Sequence, residues 1–317
     1  MSADSTEHFV AAFYRFAPLA NEPAAARALL LEAGERRGVR GLVLLAAEGI
    51  NATVSGSESS VREFVESAAQ ILGHQAYELK EARSTRPPFR RFSVQARDEL
   101  ITWDGGCFSP EPEDDASHLS PDEWDRMLGA EGGVTVLDVR NDYESRVGTF
   151  QGAITPPIRN FQELKRFLEQ TPLPRDRPLL TFCTGGIRCE KALPELRARG
   201  FSQVYQLDGG ILNYLAHHKD LEACGEGSPR NRFHGECFVF DHRVAVDHML
   251  QPSVRYGLCP HCGDPADVSV CCLHCGAEAK VCDRCSGEDR KRTCSKNCRY
   301  HYGRAAHRNI VREAPCR

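Results

Sequence analysis

Cys183-Thr184-Gly185-Gly186-Ile187-Arg188-Cys189 is the segment of this chain best equipped for chemistry. It follows the apolar run Pro178-Leu179-Leu180-Thr181-Phe182, which reads as a short buried strand. It precedes residues 190–200, which read as a helix closed by Gly200. A thiol is thereby set at a strand end, in a glycine-rich turn, at the mouth of a helix. Free backbone N–H groups and the positive end of the helix dipole favour an anion there. Thiolate is the reactive form of cysteine, and such surroundings lower its pKa. Arg188 adds a fixed positive charge. A buried structural thiol is the bland alternative for any lone cysteine. Gly185, Gly186, Arg188 and the strand-to-helix setting favour a nucleophile.

Ring size limits what this nucleophile does. Cys183 and Arg188 close a six-residue loop. A C-x5-R loop, one residue longer, lets amides surround a tetrahedral phosphate. The shorter loop suits one outer sulfur, such as that of a cysteine persulfide. In this it resembles the active-site loop of the rhodanese (sulfurtransferase) family. Residues 134–144 (VTVLDVRNDYE) resemble that family's signature strand, 148–153 (GTFQGA) the turn after it, and Asp208-Gly209-Gly210 with Tyr214 its closing motif. Asp138 and Arg140 read as a structural pair that positions loops.

The elements that must hold this loop belong to a longer, multi-domain chain. Its 317 residues allow two or three domains, and 41% hydrophobic with 26% charged residues is a soluble, globular composition. The start, Met1-Ser2-Ala3-Asp4-Ser5-Thr6-Glu7, lacks a basic leader and apolar core, and the run 42–47 is too short to span a membrane. A cytoplasmic location without membrane contact is expected. The net charge of -4 says little about partners, because the charge is unevenly placed.

Residues 1–98 read as one domain. Strand patterns at 8–14, 39–47, 50–55 and 75–80 alternate with helix patterns at 22–38 and 60–72, the βαββαβ order of a ferredoxin-like fold. With no nucleophile or metal set, it reads as a binding module. The stretch 80–97 carries Lys80, Arg83, Arg86, Arg90, Arg91 and Arg97 against Glu81 alone, and includes Phe89 and Phe92. Basic groups neutralise phosphates and aromatic rings stack on unpaired bases, so the stretch reads either as a solvated charged face or as an RNA contact, which the family resemblance described below favours. Residues 99–119, rich in breakers and acids, read as a linker. The catalytic α/β domain is placed at 120–224, opening on the helix start Ser120-Pro121-Asp122-Glu123.

Residues 225–317 form a C-terminal extension with its own chemistry. Nine of the fifteen cysteines fall between Cys259 and Cys298, mostly in close pairs: Cys259/Cys262, Cys272/Cys275, Cys282/Cys285 and Cys294/Cys298. Without an export signal this clustering argues for metal rather than disulfides. Eight thiolates fill two tetrahedral zinc sites and leave no open position, so the ions are expected to be structural. A small domain needs such a staple. Spacing leaves the pairing open, and Cys271, His261, His274, His301 or His307 are candidates to replace a ligand. Residues 280–317 hold eleven Lys/Arg, with Arg290-Lys291-Arg292 a second place for RNA.

Four blocks in order, GLVLLAAEGINATVSG (41–56), DVRNDYE (138–144), CTGGIRCEKA (183–192) and GECFVFDHRVAV (235–246), resemble the bacterial tRNA uridine hydroxylase family. The resemblance runs from about residue 8 to about 250, and more loosely through the tail. It implies oxygen-dependent conversion of the wobble uridine, position 34, to 5-hydroxyuridine, with tRNA bound through its anticodon region and no DNA partner. It implies that Cys183 is the catalytic cysteine carrying a persulfide, whose outer sulfur Arg188 and the amides of Thr184, Gly185, Gly186 and Ile187 would hold. Cys189 is either a resolving thiol or a buried residue of the first helical turn. No iron triad, flavin motif or dinucleotide fingerprint is seen. The alternative is a general thiosulfate-type sulfurtransferase; the basic stretch and extra domains count against it. The retained Cys183 and Arg188 count against a non-catalytic scaffold.

Overall fold

The computed structural model describes residues 7–103, 115–224 and 231–306. The acidic part of the expected linker, the glycine-rich segment 225–230 and His307 lie outside them. Among the described residues no helix is long and apolar enough to cross a membrane. The chain divides into two compact units, one of residues 1–237 with 246–252, the other of residues 238–245 with 253–317.

The first unit opens with β1 (His8–Phe16), α1 (Pro23–Arg36), β2 (Arg40–Ala46), β3 (Gly49–Gly56), α2 (Glu58–Leu72), β4 (Lys80–Ser84) and β5 (Phe92–Ala96). The sheet order is β4-β1-β3-β2-β5. Alternation sends Phe9, Ala11 and Phe13 of β1, Val43 and Leu45 of β2, and Ala52 and Val54 of β3 into the core. The helices cover that face: α2 is capped by the Ser57 hydroxyl, which accepts from the Ser60 N–H, and buries Val61, Phe64, Val65, Ala68 and Leu72. The ferredoxin-like expectation holds, with two corrections. The fourth strand lies at Lys80–Ser84 rather than 75–80, because an edge strand of sequence KEARS carries no apolar alternation, while Tyr77 drops into the core from an irregular segment. A fifth strand, β5, pairs parallel with β2 inside the stretch read as RNA-facing.

The same unit continues through a short 3-10 turn into β6 (His118–Leu119), α3 (Pro121–Leu128), β7 (Thr135–Asp138), α4 (Asp142–Ser145), β8 (Gly148–Phe150), α5 (Glu163–Gln170), β9 (Leu179–Phe182), α6 (Ile187–Ala198), β10 (Val204–Leu207) and α7 (Gly210–Cys224). The parallel sheet runs β6-β10-β9-β7. Every residue of β7 and β9 is buried, the polar Thr135, Asp138 and Thr181 included. Ser120 and Glu123 close a capping box on α3. The expected linker is structured at both described ends. Trp103 stacks against Phe161 at 4.5 Å within the core of this domain, and Glu99 and Leu100 are buried. After α7 come β11 (Phe233–Gly235), antiparallel to β8, and the two-residue strands β12 (Cys237–Phe238) and β13 (Ala245–Val246).

The second unit is small: β14 (Gly257–Leu258), β15 (Pro265–Ala266), the hairpin β16 (Val268–Cys271) and β17 (Glu278–Val281), α8 (Asp283–Ser286) and α9 (Lys296–Ala306). Its apolar core is little more than Ala266, Val270 and Val281 beside Cys259, Cys282 and Cys285.

Candidate functional site

β9 delivers the chain to Cys183 and α6 takes it away from Ile187, with Gly186 at a φ of 100° between them. A Cβ on Gly186 would lie 2.7 Å from the Tyr14 hydroxyl. Gly210 explains the closing motif, since a Cβ there would meet the Cys183 carbonyl oxygen at 2.5 Å. The N–H groups of Ile211 and Leu212 donate to the carbonyls of Cys183 and Thr184 at 3.0 and 3.1 Å. Loop carbonyls are thus held by α7, while the Gly186 N–H donates to Cys183 Sγ at 3.1 Å.

Cys183 is fully buried. Burial alone would push its pKa up, but the Cys189 thiol donating to it, the Arg188 guanidinium and the amides of Arg188 and Gly185 pull it well below the usual thiol range. Cys189 moves the opposite way: burial and its hydrogen bond to Cys183 push it up, so it stays a thiol. One anionic sulfur is therefore paired with one S–H donor.

Arg188 is more constrained than the loop alone suggests. Its Nη1 and Nη2 donate to Glu144 Oε1 and Oε2 at 2.6 and 2.8 Å, and Nη2 lies 3.3 Å from Thr184 Oγ1. Glu144, on α4, is fully buried; burial raises its pKa, and Arg188 and then Arg140 overcome this and lower it. Asp138 and Arg140 are the expected structural pair. Arg140 Nε and Nη2 meet Asp138 Oδ1 and Oδ2 at 2.9 and 2.6 Å, Nη2 also reaches the Gly148 carbonyl at 2.6 Å, and the Thr149 hydroxyl donates to Asp138 at 2.9 Å.

Several further residues meet at the site to which the sequence reading gave no role. Glu190 Oε1 accepts from Tyr14 at 2.8 Å and Gln206 at 2.8 Å, and lies 3.2 Å from His118 Nε2. Lys191 is fully buried and ion-paired to Glu48 at 2.9 Å and Glu99 at 2.8 Å, tying α6 to the first domain and the following strap. Cys237 is a third buried thiol within the electrostatic field of Cys183 and Arg140, and burial pushes it up to about 12. In sequence, Glu48 fell between two strand patterns, and Glu190 and Lys191 opened the helix read at 190–200.

Arg83, Arg86, Arg90 and Arg91 of the basic stretch are all exposed. Arg83 is engaged, donating to Glu58 at 2.7 Å and Glu7 at 3.3 Å. Phe92 is no stacking platform for bases, because it packs edge-on against Phe64 at 5.3 Å beside the core.

In the tail the eight cysteines converge as two groups, Cys259, Cys262, Cys282 and Cys285, and Cys272, Cys275, Cys294 and Cys298, with each group's sulfurs within 4.8 Å of one another. Zinc–sulfur bonds of about 2.3 Å put sulfurs about 3.8 Å apart at the corners of a tetrahedron. The Cys262–Cys282, Cys262–Cys285, Cys275–Cys294, Cys294–Cys298 and Cys275–Cys298 separations of 3.5, 3.8, 3.6, 3.4 and 3.8 Å match that edge. The hairpin dictates the interleaved pairing. Cys272 follows its closed end, at Cys271↔Glu278, and Cys282 its open end, at Val268↔Val281. Three residue steps separate the two ends by about 10 Å. None of the candidate substitutes among the described residues replaces a ligand. Cys271 lies within β16, His261 Nε2 is 2.9 Å from the Thr293 carbonyl, and His274 stacks on His301 at 5.5 Å.

Three family models match in succession: a UPF0176 acylphosphatase-like domain at residues 8–100, a rhodanese-like domain at 120–217 and a rhodanese C-terminal region at 234–299. A Bdellovibrio bacteriovorus protein named tRNA uridine(34) hydroxylase is 42% identical over 98% of this chain and 87% of its own length. The chain belongs to the tRNA uridine(34) hydroxylase family. Another protein of that name, from Teredinibacter turnerae, is 36% identical over 89% of this chain and 85% of its own. Among solved structures, a rhodanese-like domain protein of Staphylococcus aureus is 23% identical, covering 31% of this chain and 90% of that one with a TM-score of 0.27. Membership in the tRNA uridine(34) hydroxylase family thus spans both compact units and does not rest on the rhodanese-like domain alone.

Proposed function

We propose that this enzyme hydroxylates uridine 34 of tRNA to 5-hydroxyuridine, with Cys183 as its catalytic thiolate. The observation that carries the reading is the match along 98% of the chain to a relative of that name, in a chain whose loop keeps a buried, amide-held Cys183 beside Arg188. Dioxygen is the co-substrate and Cys183 works as a persulfide. Arg188, oriented by Glu144, and the amides of Thr184, Gly185, Gly186 and Ile187 supply the positive surface for the outer sulfur. Cys189 keeps the resting thiolate by donating its S–H.

The anticodon region of tRNA is bound in part by Arg86, Arg90 and Arg91, with Arg83 in a supporting role because of its acidic partners. Two zinc ions sit in the tail as structural staples; the residues fit them in donor type, number and spacing. The zinc ions take no part in the reaction, because four thiolates saturate each. The general sulfurtransferase alternative accounts for the loop but gives the basic stretch and the tail no task. Nucleoside mass spectrometry of tRNA from cells with and without the protein tests the reading. Loss of 5-hydroxyuridine with gain of uridine at position 34 supports it, and identical nucleosides sink it. Growth under 18O-labelled dioxygen places label in the new hydroxyl if dioxygen is the source.

A further inference from the structure

In a sheet covered by helices on one side, the opposite face is ordinarily left to water. Period-two alternation puts Tyr14 and Phe16 of β1 and Leu44 and Ala46 of β2 on that opposite face. Here the face is not left to water. It closes over Leu100 and Ile187, the first residue of α6. Tyr14 reaches α6, with its hydroxyl donating to Glu190 at 2.8 Å and lying 2.7 Å from where a Cβ of residue 186 would be. The Lys191 ion pairs with Glu48 and Glu99 fasten the same two domains one residue beyond Glu190.

We infer that Tyr14 is a positioning residue for the reaction at Cys183: anchored by Glu190, its hydroxyl seats Gly186, whose N–H donates to the Cys183 sulfur. The N-terminal domain thereby completes the catalytic loop besides binding substrate. The inference rests on Cys183 being the reacting thiol. The charged and titratable groups around that thiol are Arg188, Cys189 and Glu190 on α6, His118 of β6 against the Glu190 carboxylate, Glu144 on α4, Asp138 of β7 and Arg140 after it, Cys237 in β12 and Tyr14 itself. Of these, Tyr14 is the one supplied by the first domain. Its own pKa is raised, by burial first and then by the charges of Glu190, Cys183 and Cys189, so it remains a hydrogen-bond donor.

Removing the hydroxyl takes one of the partners from Glu190 Oε1, leaves that carboxylate less compensated beside the thiol, and frees Gly186 to move. Both changes disfavour the thiolate. The test uses the full chain and follows iodoacetamide alkylation of Cys183 against pH by peptide mass spectrometry, alongside tRNA hydroxylation. Tyr14→Phe, which keeps the ring, should raise the alkylation midpoint and lower kcat several-fold with KM for tRNA unchanged. In a Glu190→Gln background the same change should shift the midpoint less. A Tyr14→Phe protein with the wild-type midpoint and kcat would overturn the inference and reduce Tyr14 to packing. Wild-type protein that alkylates normally yet leaves tRNA untouched would instead refute the hydroxylase reading, and the midpoint comparison would still decide the role of Tyr14.

Discussion

The loop at Cys183 and the knuckles of the tail both aim backbone amides at sulfur, but they balance the charge differently. At Cys183 one anionic sulfur is offset by Arg188 and the Gly186 N–H, while its neighbour Cys189 keeps a proton. In the tail, amides of Cys282, Cys262 and His261 work against burial to lower Cys259, and those of Cys275, Cys294 and His274 do the same for Cys272. Cys282, Cys285 and Cys294 are pushed up by burial and by neighbouring sulfurs, Cys294 to about 12. Four sulfurs in contact are offset by a divalent cation. A single thiolate balanced by a guanidinium stays available for chemistry, whereas four thiolates balanced by an ion are committed to structure.

The largest effect that sharpens this contrast is metal loss. Elemental analysis should return two zinc ions per chain, and chelation should unfold the tail, since zinc coordination in such small units is worth roughly 10–16 kcal/mol of folding free energy. Sulfur transfer from thiosulfate at Cys183 should survive. Cys262→Ser combined with Cys282→Ser should cost one ion, and Cys262→Ser combined with Cys275→Ser should cost both; the reverse pattern would break the interleaved pairing.

Next comes the strap between the first two domains. Lys191→Met leaves Glu48 and Glu99 buried without their cation. That should destabilise the first unit by about 3–5 kcal/mol, read by chemical denaturation. A change below about 1 kcal/mol, the scale of exposed pairs, would mean water replaces the lysine.

A smaller effect concerns substrate. Replacing Arg86, Arg90 and Arg91 together by alanine should weaken tRNA binding and flatten its salt dependence, by roughly 0.7 in slope for each single-strand phosphate that is no longer neutralised. Thiosulfate chemistry at Cys183 should be nearly unaffected. Unchanged affinity and salt slope would make this a solvated face and move the RNA surface toward Arg290–Arg292.

The smallest is in the pH profile. With the Cys183 pKa lowered to about 6, alkylation of wild-type protein should climb through that pH and level off above it, because only the thiolate reacts. Cys189→Ala removes the S–H donor and should move the midpoint upward, with milder loss of tRNA activity than any change at Cys183. A loss as severe as that of Cys183 variants would assign Cys189 to the reaction as a resolving thiol.

The candidate loop at Cys183 was legible in sequence because its signal is local: cysteine, glycines and arginine within six positions, between a strand and a helix. The cysteine clusters were legible for the same reason, as close pairs, while their interleaving was not, because a hairpin decides which pairs meet. Glu144 meets Thr184 across 40 positions, and His118 and Tyr14 meet Glu190 across 72 and 176, so no spacing announces them. Lys191 and Glu48 look like surface charges until the fold buries them. Strand β4 escaped the periodicity because an edge strand of charged residues has none, and Phe92 was misread as a base platform because an aromatic among arginines carries no mark of the strand that turns it inward.

The central claim, that Cys183 performs hydroxylation at position 34, is tested most directly in cells lacking the protein and supplied with wild type or Cys183→Ser at equal abundance. The account predicts that wild type restores 5-hydroxyuridine at position 34 and that the serine variant, folded and with two zinc ions, restores none. Restoration by Cys183→Ser to the wild-type level would contradict it.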